Sequence, residues 1–222
     1  MRITVVGGTG KEGYGLALGW ASAGQEVLVG SRVAERAVRA AGAINLEVGQ
    51  PRAAGMLNRA AAAAAAGDIV VLAVPYVAHE ATLHDIRAAV VGKVLVDVTV
   101  PIDPERPRRL RSVPGGSATE EAQALLGPGT RVVAAFQNIS HTHLIKREAT
   151  PCDVLVCGDD RGARQEVIAL AGLLGLRGLD AGPARNARIV EGLTVLLIDL
   201  NHRYKADATG VRVTGLPEVA PQ

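Results

Sequence analysis

VVGGTGKEGYG, residues 5–15, is the stretch on which the fold turns. It follows the apolar run RIT and leads into LALGW, which has the spacing of a helix. Gly8, Gly10 and Gly13 stand at GxGxxG offsets. The first allows a tight turn and the second lets the backbone approach a pyrophosphate. The third lets helix and strand pack closely, and the helix N-terminus attracts the anion. Three glycines at those offsets between a strand and a helix predict a dinucleotide cradle made of Gly8, Thr9, Gly10, Lys11, Glu12 and Gly13.

The second strand, EVLVGSR (26–32), predicts which dinucleotide. An acidic residue at its end would bond the ribose hydroxyls of NAD and repel a 2′-phosphate. Gly30, Ser31 and Arg32 offer space, a hydroxyl donor and a guanidinium instead. That set points to NADP, with Thr9 and Arg36 as further contacts to the same phosphate.

Beyond the second strand, apolar runs alternate with helical patterns. A first helix spans 13–24 and a second 33–41; a loop then runs through Pro51 to an alanine-rich helix over 58–66 that Gly67 caps. DIVVLAVPY (68–76) and KVLVDVTVP (93–101) are near-continuous apolar runs suited to strands buried on both faces, with a helix over 77–91 between them. Ser117 and Glu120 have capping-box spacing at the head of another helix. RVVAAFQNI (131–139), CDVLVCG (152–158) and LRGLDAG (176–182) read as strands, residues 163–174 as a helix, and 187 to about 204 as a long amphipathic helix. The alternation predicts a Rossmann-like α/β fold: a doubly wound, mostly parallel sheet with a small C-terminal helical part. The division expected is an NADP-binding domain over 1–150 and a C-terminal part over 151–222 that closes the acceptor cleft.

Net charge is +2, and the arginine-rich RPRRLR (106–111) sits among prolines as a solvated loop, which is no nucleic-acid footprint. The opening MRITVVGG lacks the apolar stretch of a signal peptide, and no run has the length of a membrane span. Two cysteines, Cys152 and Cys157, are expected reduced and buried, consistent with a cytoplasmic protein. His141 and His143 would face one way on an extended segment, but no third ligand is near in sequence, so no metal site is expected. Asp159 and Asp160 fit a turn and helix cap, and Trp20 fits packing.

GGTGKEGYGLAL, VGSR, VCGDD and above all LDAGPARNARIVEGLTVLLI resemble the NADP-dependent reductases of the deazaflavin coenzyme F420, over residues 1 to about 200. The resemblance implies hydride transfer between NADP(H) and the deazaflavin. It places Thr9, Ser31, Arg32 and Arg36 at the 2′-phosphate, Val74 and Pro75 beside the nicotinamide, and Gln137, Asn138 and Ile139 against the deazaflavin; Tyr76, by its position after Pro75, would also border the nicotinamide. Leu193, Leu196, Leu197 and Leu200 form a helical stripe that is core or dimer interface, and the resemblance implies a homodimer. The chain departs from the family in having Gln137 where His is usual, Ser140 where Pro is usual, and a longer polar tail. The β-hydroxyacid dehydrogenases of similar architecture carry a Lys on the long helix; here its early turns hold Arg185, Asn186, Arg188 and Glu191. A deazaflavin takes hydride at a ring carbon, so no catalytic side chain is expected. The alternatives are an NADP-linked reductase of an imine, hydroxyacid or flavin-like acceptor, and a non-catalytic NADP-sensing protein.

Overall fold

Short runs of branched apolar residues form the strands, and the helices between them each bury one face. The computed structural model describes residues 2–65, 69–146 and 151–217. Gly67 as a cap, Asp68 at the start of a strand, the division at residue 150, and the last residues of the tail lie outside the described residues. In chain order the elements are β1 (Arg2–Val6), α1 (Lys11–Ser22), β2 (Glu26–Ser31), α2 (Ala34–Val48), β3 (Ala53–Leu57), α3 (Asn58–Ala63) and β4 (Ile69–Leu72). A 3-10 turn (Tyr76–Ala78) leads into α4 (His79–Ile86), then β5 (Val94–Asp97), β6 (Ile102–Asp103), β7 (Arg106–Leu110), α5 (Ala118–Leu126) and β8 (Arg131–Ala134). The chain ends with α6 (His141–Lys146), β9 (Asp153–Gly158), α7 (Arg161–Gly172), β10 (Arg177–Asp180) and α8 (Ala187–Tyr204).

Eight strands form one sheet in the order β10-β9-β8-β5-β4-β1-β2-β3. From β3 to β8 every neighbour is parallel, β9 runs antiparallel to β8, and β10 is parallel to β9. The expected doubly wound, mostly parallel sheet is therefore the observed one, and the winding reverses between β1 and β4. Strands from beyond residue 150 extend this same sheet. One face is covered by a cluster containing Leu16, Trp20, Ile44, Phe136 and Leu170, the other by one containing Leu83, Ile86, Val90 and Leu126. Trp20 has the packing role expected of it: it lies edge-on to Phe136 at 5.7 Å and its Nε1 donates to the carbonyl of Leu170 at 3.1 Å. Each such large apolar side chain contributes about 1.5–3 kcal/mol on burial. Among the described residues no helix is long and apolar enough to cross a membrane.

Several elements differ from the sequence expectation. α2 runs through Gly42 to Val48 because Ile44 is buried on its inner face, and the left-handed Gly49 (φ 73°) ends it. β3 was expected as loop; it is the edge strand, and Gly55 lets it lie on α2, since a Cβ there would be 2.2 Å from the carbonyl carbon of Ala37. The arginine-rich 106–110 forms a small antiparallel hairpin with β6 rather than a loop. His141 and His143 are on a helix, not an extended segment, so i, i+2 spacing does not align them; His143 Nε2 lies 2.8 Å from the carbonyl of Ala208. The caps at Ser117 and Asp160 form as expected: Ser117 Oγ accepts from Glu120 N (3.0 Å) and Asp160 Oδ1 from Ala163 N (2.7 Å). Both cysteines are free and buried.

Candidate dinucleotide-binding site

Parallel strands point their carboxyl ends to one edge, and a crevice opens where the winding reverses. Here that crevice is a cleft of about 500 Å³. Gly7, Thr9 and Gly10 line it from the β1–α1 loop, Ser31, Arg32 and Arg36 from the β2–α2 junction, and Asn58 from the head of α3. Ala73, Val74 and Pro75 close it from the end of β4. Of the residues expected from sequence, it brings together Thr9, Gly10, Ser31, Arg32, Arg36, Val74 and Pro75.

The glycine loop is built for close approach, with one shift of role. The left-handed residue of the turn is Gly7 (φ 78°), not Gly8, and a Cβ on Gly7 would be 2.6 Å from the carbonyl oxygen of Ala73. Gly8 instead ties the loop to β2, its N–H donating to Gly30 O at 2.9 Å. Gly13 lets α1 sit on the loop: a Cβ there would be 2.7 Å from Gly7 O and 2.9 Å from Gly8 Cα. Gly10 caps α1 and faces open space, its nearest neighbour for a Cβ being Gly7 O at 3.5 Å. The first N–H groups of α1 lack helical acceptors and carry the positive end of the helix dipole.

At the end of β2 the chemistry suits an anion. Ser31 is buried and its Oγ accepts from Val33 N at 3.2 Å, which leaves the hydroxyl proton to donate. Arg32 and Arg36 are exposed and have no ion-pair partner among the described residues, so two guanidinium charges border the cleft unspent. Among the described residues no carboxylate lines the cleft. These donors fit a 2′-phosphate, and the loop and helix end fit a pyrophosphate.

Asn58 is a site residue that sequence reasoning missed. In the sequence it reads only as the start of an alanine-rich helix, yet its Oδ1 accepts from Gly7 N at 3.1 Å and holds the glycine turn to the end of the third strand. An amide side chain at a strand end was the available signal.

Other expected residues lie apart from the cleft. Lys11 is exposed at the head of α1, and Glu12 turns its carboxyl toward α6. Tyr76 faces a neighbouring cleft of about 660 Å³, with its hydroxyl donating to Glu121 Oε2 at 2.8 Å and Arg111 over its ring at 5.7 Å. Burial and the bond to Glu121 push the phenol up to about 12. Gln137, Asn138 and Ile139 are buried at the end of β8 and line neither cleft. Gln137 Nε2 donates to Asp97 O at 2.8 Å, leaving its enclosed Oε1 without a partner. Before it stands Phe136, fully buried at φ 70°, a left-handed conformation that costs a bulky residue about 1–3 kcal/mol. Glu191 is buried against the N-terminus of α5, accepting from Ala118 N (3.1 Å), Thr119 N (3.3 Å) and Thr119 Oγ1 (3.2 Å). Burial raises its carboxyl to about 7 against those bonds.

Glu12 gives the fold a pH dependence. Its side chain is half-buried overall, but the carboxyl is enclosed and Oε1 lacks a partner, so burial carries it to about 8, partly offset by the backbone N–H of His141. The native state then holds a proton that the unfolded chain releases near 4.5, and stability falls as pH rises from about 4.5 to about 8. Glu12→Gln removes that fall. Calorimetry should show a smaller drop in Tm between pH 5 and about pH 8.5 for the variant than for the parent; equal drops would place the carboxylate in water.

The chain matches the family model described as NADP oxidoreductase, coenzyme F420-dependent, over residues 2–101. The F420-dependent NADP reductase of Methanothermobacter thermautotrophicus is 44% identical over 98% of this chain and 97% of its own. That of Methanocaldococcus jannaschii is 38% identical, over 97% and 99%. A candidate F420-dependent NADP reductase from Arthrobacter sp. FB24, known as a crystal structure, superposes with a TM-score of 0.82 at 25% identity, covering 96% of this chain and 99% of that one. The imine reductase of Bacillus cereus shares the fold alone, at 18% identity and a TM-score of 0.59, covering 92% of this chain and 60% of its own. With identities this high across nearly the whole of both chains, the protein belongs to the coenzyme F420-dependent NADP oxidoreductase family.

Proposed function

We infer that the protein transfers a hydride between NADP(H) and coenzyme F420. The observation that carries the inference is the cleft itself: a glycine loop and helix N-terminus beside Ser31, Arg32 and Arg36, with no carboxylate where NAD would need one. Kinship with the F420-dependent NADP reductases supports the acceptor. The N–H groups of the loop and of α1 bind the pyrophosphate; Thr9, Ser31, Arg32 and Arg36 hold the 2′-phosphate. Val74 and Pro75 border the nicotinamide, and Tyr76 braces the turn that follows. Gln137, Asn138 and Ile139 form the acceptor wall, a role that kinship with the F420-dependent NADP reductases supports. The two bound rings supply the chemistry, a hydride passing between carbons, so the protein contributes alignment and exclusion of water rather than an acid or base.

Residues 151–222 serve as the part that closes the acceptor side, and the protein works in the cytoplasm, in keeping with its two free cysteines. The working form is a homodimer. Ile189, Leu196 and Tyr204 stand exposed along α8, where Leu193 and Leu200 are half-buried, and this stripe suits a second copy. Sedimentation should give the mass of two chains; a single-chain mass contradicts the dimer. For the reaction, NADPH deuterated at the transferred position should deliver its label to the reduced deazaflavin. Label appearing in water instead would exclude direct hydride transfer.

A further inference from the structure

We propose that Asp97 and His79 are a positioning pair that holds the nicotinamide-side loop and the acceptor-side segment in one fixed register, an inference that rests on the hydride-transfer reading above. Asp97 ends β5 in the middle of the sheet, between β4 and β8, and is fully buried. Three groups converge on it: Thr99 N donates to Oδ1 at 3.0 Å, His79 Nε2 meets Oδ2 at 2.7 Å, and Gln137 Nε2 donates to its main-chain oxygen at 2.8 Å. Two of them pass the constraint to the donor side. The Thr99 hydroxyl donates to Val74 O at 3.4 Å, and the His79 ring stacks on Tyr76 at 5.9 Å and 27°. Gln137 passes it to the acceptor side, where its own carbonyl accepts from Thr194 Oγ1 at 2.9 Å and so joins α8.

Asp97 thus braces Val74 and Tyr76 through its carboxylate on one flank and Gln137 through its main-chain oxygen on the other. A fully buried ion pair is a weak source of stability, since apolar groups of the same volume often hold a core as well or better. What an apolar pair cannot supply is direction. The hydrogen bonds of Asp97 fix three chain segments at set distances, and the strained turn at Phe136 keeps Gln137 within reach. Hydride transfer is sensitive to such distances, because a misplacement of about 1 Å can cost about a hundredfold in rate. Burial works against a charge on His79, yet the charge and hydrogen bond of Asp97, with Glu121 and Glu191 nearby, raise its pKa above the ordinary value.

The test uses Asp97→Asn, His79→Leu and His79→Gln in the full-length protein. Single-turnover reduction of F420 reports the hydride step, NADPH titration reports binding, and thermal unfolding reports folding. Asp97→Asn and His79→Leu should slow the hydride step at least about tenfold while NADPH affinity stays within about twofold, and His79→Gln, which keeps a donor, should recover part of the rate. If Asp97→Asn does not fold, the two His79 variants decide. Folded variants that reduce F420 at the parent rate overturn the proposal and leave the function intact. Loss of rate and NADPH affinity together, in proportion to lost Tm, also overturns it, as a structural role would. A parent protein that never reduces F420 overturns both.

Discussion

Arg32→Glu moves the cofactor preference from NADPH toward NADH. The parent should bind NADPH at least about tenfold more tightly than NADH, because 1.4 kcal/mol is one factor of ten and each charged hydrogen bond to a phosphate is worth about 1.5–3 kcal/mol before solvent competes. Solvent does compete at Arg32, which is exposed, so the lower figure is the one to use. The buried Ser31 hydroxyl suffers less, and it stays in the variant. A carboxylate at position 32 goes further than removing a bond: it repels the 2′-phosphate and accepts from a free ribose hydroxyl, so the variant gains for NADH what it loses for NADPH. Titrations of both cofactors with parent and variant measure this. A parent that binds the two equally, or a variant that keeps its full preference for NADPH, would remove the end of β2 from the phosphate site.

Gly13→Ala and Gly10→Ala should separate folding from binding. At Gly13 the new methyl meets backbone on two sides, at 2.7 and 2.9 Å, and Ala73 Cβ at 3.2 Å, so α1 must move off the loop. The strain costs about 1–3 kcal/mol, and the displaced helix end no longer aims its N–H groups at the pyrophosphate. Both Tm and NADPH affinity fall. At Gly10 the methyl meets Gly7 O at an ordinary 3.5 Å, so the fold bears it within about 1 kcal/mol. Gly10 lines the cleft, however, and the methyl would stand where a pyrophosphate approaches the loop on the proposed reading. NADPH affinity then drops at least about tenfold, or 1.4 kcal/mol, with Tm nearly unchanged. A Gly13→Ala protein with parental stability, or a Gly10→Ala protein with parental affinity, would contradict the loop geometry.

What the sequence made legible follows from how local each feature is. The glycine loop and the Ser31–Arg32 pair are written in consecutive residues, and they lie together in the cleft as their spacing implied. α8 was legible from its long apolar stripe, and α5 from Ser117 and Glu120. β3 was not, because AAGML has no β-branched or aromatic residue; its place comes from pairing with β2 and lying on α2. The 102–110 hairpin was hidden by Pro104 and Pro107, which read as loop. α6 was hidden because HTHLIK is too short for a helical period to show. Asn58, His79 and Asp97 act across gaps of 51 and 18 residues, and no local pattern announces such contacts. Gln137, Asn138 and Ile139 stood out only through family resemblance, and the structure buries them just beyond the end of β8.

The most direct measurement mixes the purified protein with NADPH and oxidised F420 and follows the deazaflavin absorbance. The account predicts that the absorbance is lost in step with NADPH, at a rate proportional to protein, and at least about tenfold faster than with NADH at subsaturating cofactor. A protein that binds NADPH with its Ser31–Arg32 preference but leaves the deazaflavin unreduced would contradict it, and would be an NADP-binding protein without this reaction.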